Sequence, residues 1–375
     1  MFKKKWQKYT LIILLVLTAI YLAGPHPKTP VYNSTMPVVP ADATALEQYI
    51  AQQEASHKLK PDNEARIVWY SPMTDSIKTA IKDSVKANLK QGEFVSSTFN
   101  AATTKTKTDY AIVYLHGFSA SQEEGAPIHT NIAKEFGCNL YLSRLAEHGI
   151  DTADPMINLT PEKYWESAKQ ALAIGKQLGK KIILIGTSTG GTNALQLAAT
   201  YPGDIAAVIL LSPNIAIHDP NAWLLNNPWG LQIARLVKGS HYITAPDDRP
   251  IYKQYWYNHY PLEAAVQLQE LLETTMTAET FEKVKQPLLM LYYYRDEQHQ
   301  DSVVSIPAML KMFDELGTPA GEKVKEAIPN AGDHVLGSYI KGKDLLSVQT
   351  AIENFMVRTL HMPRVNNGSI IEVSK

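Results

Sequence analysis

This sequence has little cysteine, no marked excess of charge of one sign and few long apolar runs. Cys138 is the only cysteine in 375 residues, so the chain cannot form an internal disulfide or supply the thiolates of a structural zinc site. The 36 basic and 37 acidic side chains give a formal net charge of −1, without the basic excess that favours binding to a phosphate backbone. These absences exclude a disulfide scaffold and argue against nucleic acid as a partner.

The composition is that of a folded protein with one large core. Hydrophobic residues make up 45% of the sequence and charged residues 19%. This composition differs from that of disordered or fibrous chains. We expect an N-terminal targeting segment at residues 1–23, a proline-rich spacer at 24–40 and one main domain over 41–375, with an insertion at about 218–286.

The N-terminus has the layout of an export signal. Lysines precede an apolar run at residues 11–23, which at about 13 residues is shorter than the roughly 20 of a membrane span and favours a signal-peptide core. Cleavage after Ala23 would, however, put the bulky Tyr21 where signal peptidase requires a small residue, and aromatic residues bracket the run as they do at membrane interfaces. We therefore favour an uncleaved membrane anchor, with the remainder exported, into the periplasm in a bacterium.

Apolar runs of strand length alternate with helical patterns from residue 110 onward. This alternation predicts right-handed βαβ crossovers and an α/β fold, in which helices cover both faces of a mostly parallel sheet. Thr160 and Pro161 are typical of a helix start, as N-cap and first helical residue. The predicted strands lie at 66–70, 110–115, 139–142, 181–185, 205–211 and 287–294, and the predicted helices at 42–59, 76–90, 128–136, from 161, and at 193–201, 305–316 and 345–360.

The strongest chemical motif is Gly-Thr-Ser-Thr-Gly-Gly at residues 186–191, between a predicted strand and a predicted helix. In a G-x-S-x-G segment at such a turn, the serine is held in a sharp elbow that exposes its hydroxyl at the end of the sheet, and the glycines permit close approach of neighbouring chain. A glycine-rich turn can match the motif by chance, but the flanking strand and helix favour the elbow. Ser188 is therefore the candidate nucleophile.

A second motif, His-Gly-Phe-Ser at residues 116–119, follows directly after the strand predicted at 110–115. Acyl transfer builds negative charge on a carbonyl oxygen, and two backbone N–H groups fixed beside it stabilise that charge. We expect the N–H groups of Phe118 and Thr189 to form this oxyanion hole. His116 itself is interpreted as a structural residue that anchors the loop.

Four motifs follow one another along the chain: His-Gly-Phe-Ser at 116–119, Arg-Leu-Ala-Glu-His-Gly at 144–149, Gly-Thr-Ser-Thr-Gly-Gly at 186–191 and Gly-Asp-His-Val at 332–335. In these motifs and their order, residues 110–360 resemble α/β-hydrolases of the bacterial carboxylesterase, monoacylglycerol lipase and serine aminopeptidase types. The resemblance implies a catalytic triad in the order serine, acid and histidine, with His334 as the general base. Thr189 departs from many relatives, which carry a larger apolar residue there, and this bears on the shape of the acyl pocket.

Two aspartates, Asp301 and Asp296, are candidates for the triad acid, and both follow the strand predicted at 287–294. Asp296 comes almost directly off that strand. In relatives the acid is commonly followed by a short apolar run and a helix, and this context belongs to Asp301. The resemblance therefore favours Asp301, with Asp296 as a turn residue, and His299 and His361 are expected at the surface.

These features predict a serine hydrolase that cleaves carboxylic esters through an acyl-enzyme on Ser188 and needs no metal or cofactor. Amide hydrolysis of the aminopeptidase type, acyl transfer, and an inactive anchored binding protein of the same fold are alternatives. The insertion at 218–286 is expected to be a largely helical lid over the active site. We expect its aromatic residues to line an apolar substrate pocket: Trp223, Trp229, Tyr252, Tyr255, Trp256 and Tyr257.

Overall fold

A mostly parallel sheet forms the centre of the molecule. The computed structural model describes residues 2–70 and 105–365. Their strands are β1 (Arg66–Val68), β2 (Thr108–Leu115), β3 (Asn139–Leu142), β4 (Gly179–Thr187), β5 (Ile205–Leu211), β6 (Tyr242–Thr244), β7 (His259–Pro261), β8 (Leu288–Tyr292), β9 (Tyr294–Asp296), β10 (His299–Gln300) and β11 (Lys323–Ala327). Seven of them form a sheet in the order β1-β3-β2-β4-β5-β8-β11, in which β1 is antiparallel to β3 and the other neighbours are parallel.

Helices cover both faces of this sheet. The α-helices of the described residues are α1 (Phe2–Leu22), α2 (Ala43–Ala55), α3 (Ile128–Phe136), α4 (Pro161–Leu178), α5 (Thr189–Thr200), α6 (Gly230–Lys238), α7 (Pro250–Tyr255), α8 (Leu262–Thr275), α9 (Ala278–Lys283), α10 (Ile306–Glu315) and α11 (Leu345–Arg358). Successive side chains of a strand point to opposite faces. Val113 and Leu184 therefore pack in one core with α4, α5 and α10, while Ile112 and Ile183 pack in the other with α3 and α11. The predicted fold class is confirmed.

Several predicted elements agree with the structure residue by residue. Strands β3 and β5 and helix α3 have the predicted bounds. Helix α4 begins at Pro161, and the Thr160 hydroxyl accepts a hydrogen bond from the backbone N–H of Lys163 at 3.3 Å, as expected of an N-cap. The helix predicted at residues 76–90 lies outside the described residues.

Strand β11 is absent from the prediction. It lies at the edge of the sheet, paired only with β8, and alternates charged and apolar side chains that are partly exposed. Because it lacks the continuous apolar run of the buried strands, its sequence does not differ from that of a polar loop.

Helix α1 ends against the insertion. The Trp229 indole N–H donates to the carbonyl oxygen of Ile20 at 3.0 Å, and the Trp229 backbone N–H donates to that of Pro25 at 3.0 Å. Among the described residues, no helix combines the length and the apolar character that crossing a membrane requires. The predicted membrane anchor is therefore not supported by this helix, whose apolar run at 11–23 is short.

The proline-rich segment at 24–40 forms no helix or strand, and it is bound to the domain. The Trp165 indole N–H donates to the carbonyl oxygen of Asn33 at 2.7 Å, and the Lys169 ammonium donates to that of Thr35 at 2.9 Å. Tyr32 packs edge-on against Trp165. The segment is thus a strap along α4 rather than a spacer held away from the domain.

The insertion at 218–286 contains helices α6 to α9 and the hairpin β6–β7. It contacts the loop that follows β2, where the backbone N–H of Tyr257 donates to the carbonyl oxygen of Ser119 at 2.7 Å. The insertion therefore lies at the carboxyl end of the parallel strands, the edge at which open α/β sheets form their sites.

Candidate active site

Ser188 lies in a strained turn between β4 and α5. Its φ of 52° and ψ of −120° fall outside the regions that L-residues ordinarily adopt. A β-carbon on Gly190 would overlap the backbone oxygen of Leu115, and one on Gly186 would overlap the carbonyl group of Gly190. The two glycines thus let the turn pack tightly, and the turn presents the Ser188 hydroxyl at the carboxyl end of the sheet.

Asp301 and His334 form a buried pair at the same end of the sheet. Asp301 follows the hairpin β9–β10, and His334 lies in the loop after β11. The ring Nδ1 of His334 lies 2.6 Å from Oδ2 of Asp301, and the other carboxylate oxygen accepts the N–H groups of Val303 (2.9 Å) and Val304 (3.1 Å). With its proton on Nδ1, the imidazole keeps Nε2 as the nitrogen able to accept a proton.

The pKa shifts of the pair favour its charged form. Burial by itself would raise the pKa of Asp301, but the charge of His334 and the hydrogen bonds to the carboxylate bring it below its usual value. Burial would lower the pKa of His334, but Asp301, with smaller contributions from Glu124 and Asp333, raises it above its usual value. The site therefore stabilises an imidazolium on His334.

The candidate nucleophile and the candidate base lie in the same cavity without a hydrogen bond between them. Ser188 and His334 line one cavity, while no hydrogen bond links the Ser188 hydroxyl to His334 in the described part of the chain. Contacts of this kind are often long in unliganded enzymes and shorten when substrate binds.

The alternative acid, Asp296, lies in an exposed turn. Its carboxylate accepts the N–H groups of Gln298 (3.0 Å) and His299 (2.9 Å), and it also contacts the ring Nδ1 of His299 at 2.8 Å. His361 is exposed after the last helix. The structure thus brings Asp301 to His334 and leaves Asp296, His299 and His361 outside the cavity.

Phe118 and Thr189 present unpaired backbone N–H groups beside Ser188. Neither N–H donates a hydrogen bond to another described residue. Phe118 and Ser188 line the same cavity, and Thr189 is the first residue of α5, where the helix dipole adds positive potential. The arrangement suits a developing negative charge on a substrate oxygen.

Two buried histidines hold the loop that contains Phe118. Nε2 of His116 accepts the N–H of Leu145 at 3.0 Å while its Nδ1–H donates to the carbonyl oxygen of Gly117 at 2.9 Å. Nε2 of His148 accepts the N–H of Ser119 at 3.0 Å. Burial lowers the pKa of His116 to about 4, so its ring is neutral and acts as an anchor.

The comparisons with known proteins agree with this fold. A family model described as serine aminopeptidase, S33, matches residues 162–322. A structure from work on LipS and LipT, two metagenome-derived lipolytic enzymes, has 17% identity and a TM-score of 0.55, with 67% of this chain and 95% of that chain covered. The monoacylglycerol lipase of Paleococcus ferrophilus has 15% identity and a TM-score of 0.50, with 67% and 95% covered. The chain has the α/β-hydrolase fold of these two structures, and residues 162–322 resemble the serine aminopeptidase family. A search of curated proteins finds no significant match.

The protein has a cavity of about 500 Å³ that opens at Ser188. Most of its wall comes from the insertion, with apolar side chains from α6, α8 and the preceding turns, including Leu225, Ile233 and Leu268. Among the aromatic residues predicted to line it, Tyr252, Trp256 and Tyr257 do so. The other three do not: Trp223 is exposed, Trp229 packs against residues 24 and 25, and Tyr255 lies outside the cavity wall.

Sequence reasoning missed two residues of this candidate site. His148 stands in the motif at 144–149, but only the structure shows that it bonds to the loop of Phe118. Glu124 lies in a polar stretch that is typical of a surface turn, yet its side chain is buried in the cavity wall. Within the described residues, no three His, Cys, Asp or Glu side chains are grouped to hold a metal ion.

Proposed function

We propose that this hydrolase cleaves carboxylic esters with an apolar acyl group, using Ser188 as nucleophile, His334 as general base and Asp301 as the acid that orients the imidazole. The N–H groups of Phe118 and Thr189 would hold the oxyanion. The observation that supports this most strongly is the 2.6 Å contact between His334 and Asp301, in a site where strained Ser188 faces the same cavity. The proposed reaction uses no metal or cofactor.

In the proposed mechanism, the Ser188 oxygen attacks the ester carbonyl carbon while Nε2 of His334 takes the hydroxyl proton. The carbonyl oxygen becomes an oxyanion and accepts hydrogen bonds from Phe118 and Thr189. Collapse of this intermediate breaks the ester bond, and the leaving alcohol takes the proton from His334. A water molecule, deprotonated by His334, then attacks the acyl-enzyme and releases the carboxylic acid and Ser188.

The apolar cavity supports an ester with a hydrocarbon acyl chain. Its wall is mostly hydrophobic, and burying each methylene of a chain contributes about 0.8 kcal/mol. Two structures with this fold are a lipolytic enzyme and a monoacylglycerol lipase, which is consistent with such a substrate. We therefore expect kcat/KM to rise with acyl length until the chain fills the cavity.

A panel of p-nitrophenyl esters of increasing acyl length, assayed beside aminoacyl anilides, tests the proposal. An ester hydrolase of this kind hydrolyses the esters in preference to the anilides, and Ser188→Ala abolishes the activity. Equal or faster cleavage of the anilides would instead favour an aminopeptidase, the second candidate, which the family model over residues 162–322 supports. Ester turnover that becomes productive only with an added alcohol acceptor would indicate acyl transfer.

We also propose that the protein is exported, on the basis of the basic and then apolar N-terminal residues. Fractionation of expressing cells tests this. An extracytoplasmic catalytic domain is expected, in the soluble fraction after cleavage or in the membrane fraction if the segment is retained. Cytoplasmic protein with residues 1–23 intact would rule it out.

A further inference from the structure

Glu124 is a buried carboxylate in the wall of the reaction cavity. It lies in the 3₁₀ turn Gln122–Gly125, is 2% exposed, and lines the cavity together with Ser188 and His334. In the part of the chain that the structure describes, no lysine or arginine forms an ion pair with it. Burying a carboxylate without a cationic partner costs free energy of folding, and its charge acts strongly on neighbouring groups.

Glu124 lies between the insertion and the loop at residues 116–119, here called the oxyanion loop. The Gly117 backbone N–H donates to Oε2 of Glu124, and the Trp256 side chain lies close to the same carboxylate in the cavity wall. Tyr257, the neighbour of Trp256, donates its backbone N–H to Ser119 of the loop. Glu124 thus holds the segment that presents the Phe118 N–H at the point where the insertion contacts it.

Glu124 and Ser188 both lie close to Gly117. A β-carbon built on Gly117 would lie 2.9 Å and 3.0 Å from the two carboxylate oxygens and 3.0 Å from the β-carbon of Ser188. Glycine at 117 therefore allows the carboxylate and the serine to flank one point. The bond to Glu124 uses the Gly117 N–H and leaves the Phe118 N–H available for the oxyanion.

The electrostatic surroundings of Glu124 contain one group that becomes cationic during catalysis. That group is His334, and the charge of Glu124 adds to the larger effect of Asp301 in raising the pKa of His334. Burial raises the pKa of Glu124 to about 7, and the Gly117 N–H, the charge of His334 and the nearby Trp256 side chain oppose this rise. The other titratable groups that face Glu124 are Tyr114 of β2, Tyr164 of α4, Tyr252 of α7 and Asp333 of the loop after β11.

We propose that Glu124 is a positioning residue of the proposed hydrolase site, one that holds the oxyanion loop through Gly117 and stabilises the imidazolium of His334. This inference rests on the proposed function of Ser188 and His334. It goes beyond the triad, because it assigns a second carboxylate to the electrostatics of the base.

Two substitutions separate the two effects. Glu124→Gln retains an oxygen that accepts the Gly117 N–H but removes the negative charge, so it tests the electrostatic effect. We expect kcat to fall by about tenfold with little change in KM, and the acidic limb of the kcat/KM profile to move to lower pH. Glu124→Ala also removes the bond to the loop, so a larger loss, of about 100-fold, is expected.

The adjacent Glu123→Gln is the matched control. Glu123 is only partly buried and lies outside the cavity wall, so its replacement leaves kcat and the pH profile unchanged. Thermal unfolding of each variant identifies any loss that is due to folding. Wild-type kcat and an unshifted pH profile in folded Glu124→Gln would overturn the inference, whereas absence of esterase activity in the wild type would overturn the proposed function instead.

Discussion

Both carboxylate oxygens of Asp301 have hydrogen-bond partners, and one partner is the imidazole of His334. Asp301→Asn keeps the size of the side chain but removes the charge that stabilises the imidazolium and fixes its tautomer. We expect the turnover number to fall by about 10³- to 10⁴-fold, with little change in melting temperature. Steady-state kinetics on a p-nitrophenyl ester and thermal unfolding of the same preparation measure the two effects.

Asp296→Ala is the matched control for this substitution. Asp296 is exposed and caps the turn of the β9–β10 hairpin, so its removal affects that turn and not His334. Most of the activity should remain. If Asp296→Ala were inactive and Asp301→Asn fully active, the role of the acid would pass to Asp296.

The pKa of His334 fixes the direction of the pH dependence. The imidazole can accept the Ser188 proton only when it is neutral, and Asp301 holds the pKa above its usual value. As the pH falls through this raised pKa, the base becomes protonated and kcat/KM decreases. We expect the acidic limb of the profile to lie above about pH 6.5, the usual value for histidine. A limb below that value in the wild-type profile would show that His334 is not the limiting base.

Gly190 tests the close packing of the serine turn. In Gly190→Ala the new β-carbon meets the backbone oxygen of Leu115, which no rotamer change can relieve. We expect a loss of about 1–3 kcal/mol in the free energy of unfolding and a severe loss of turnover. Gly203→Ala is the control, because no atom lies within 4 Å of its β-carbon. Normal stability and turnover in Gly190→Ala would contradict the described turn.

At the scale of single residues, local patterns in the sequence identify some site residues and cannot identify others. Ser188 is recognisable because the strained turn requires glycines at fixed offsets within the same segment. Asp301 and Asp296 are both local candidates, and only the contact with His334 distinguishes them. Glu124 has no local signature, since it shares its cavity wall with Trp256 and His334, which are more than a hundred residues away.

The insertion can be tested as an element by reducing the space that it encloses. Ala265 of α8 is buried and lines the cavity, so Ala265→Trp places an indole where a long acyl chain would lie. We expect the ratio of kcat/KM for long-chain over short-chain p-nitrophenyl esters to fall by at least about tenfold. This ratio is measured within one preparation and does not depend on the folded fraction.

Ile251→Trp provides the comparison within the same insertion. Ile251 is exposed on α7 and lies outside the cavity wall. The Ile251→Trp variant should therefore have the same ratio of kcat/KM for long-chain over short-chain esters as the wild type. An unchanged ratio in Ala265→Trp would mean that the acyl chain binds elsewhere.

Buried elements are the ones that the sequence predicts well. Strands β3 and β5 are continuous apolar runs because both faces of the sheet are covered, and α3 has an apolar face of helical period. The sequence does not predict strand β11, because an edge strand needs no continuous apolar run. The contacts of the strap at 24–40 with Trp165 and Lys169 are absent from the prediction, because they depend on tertiary packing and not on local pattern.

In the molecule as a whole, the order of the strands brings distant segments into one site. Ser188 follows β4, Asp301 lies beyond β8, and His334 follows β11, and these parallel strands all end at the same edge. The loop after β2 reaches that edge beside β4, and the insertion after β5 lines the cavity there. The three candidate residues thus converge although they are far apart in sequence.

Covalent labelling by a fluorophosphonate tests the central claim most directly. The probe reacts with a serine activated by a neighbouring base, and intact mass with peptide mapping identifies the modified residue. We predict one adduct on folded wild-type protein, located on Ser188, and no adduct on Ser188→Ala of the same fold. Folded wild-type protein that remains unlabelled at Ser188, or a Ser188→Ala variant that still reacts and hydrolyses esters, would contradict the account.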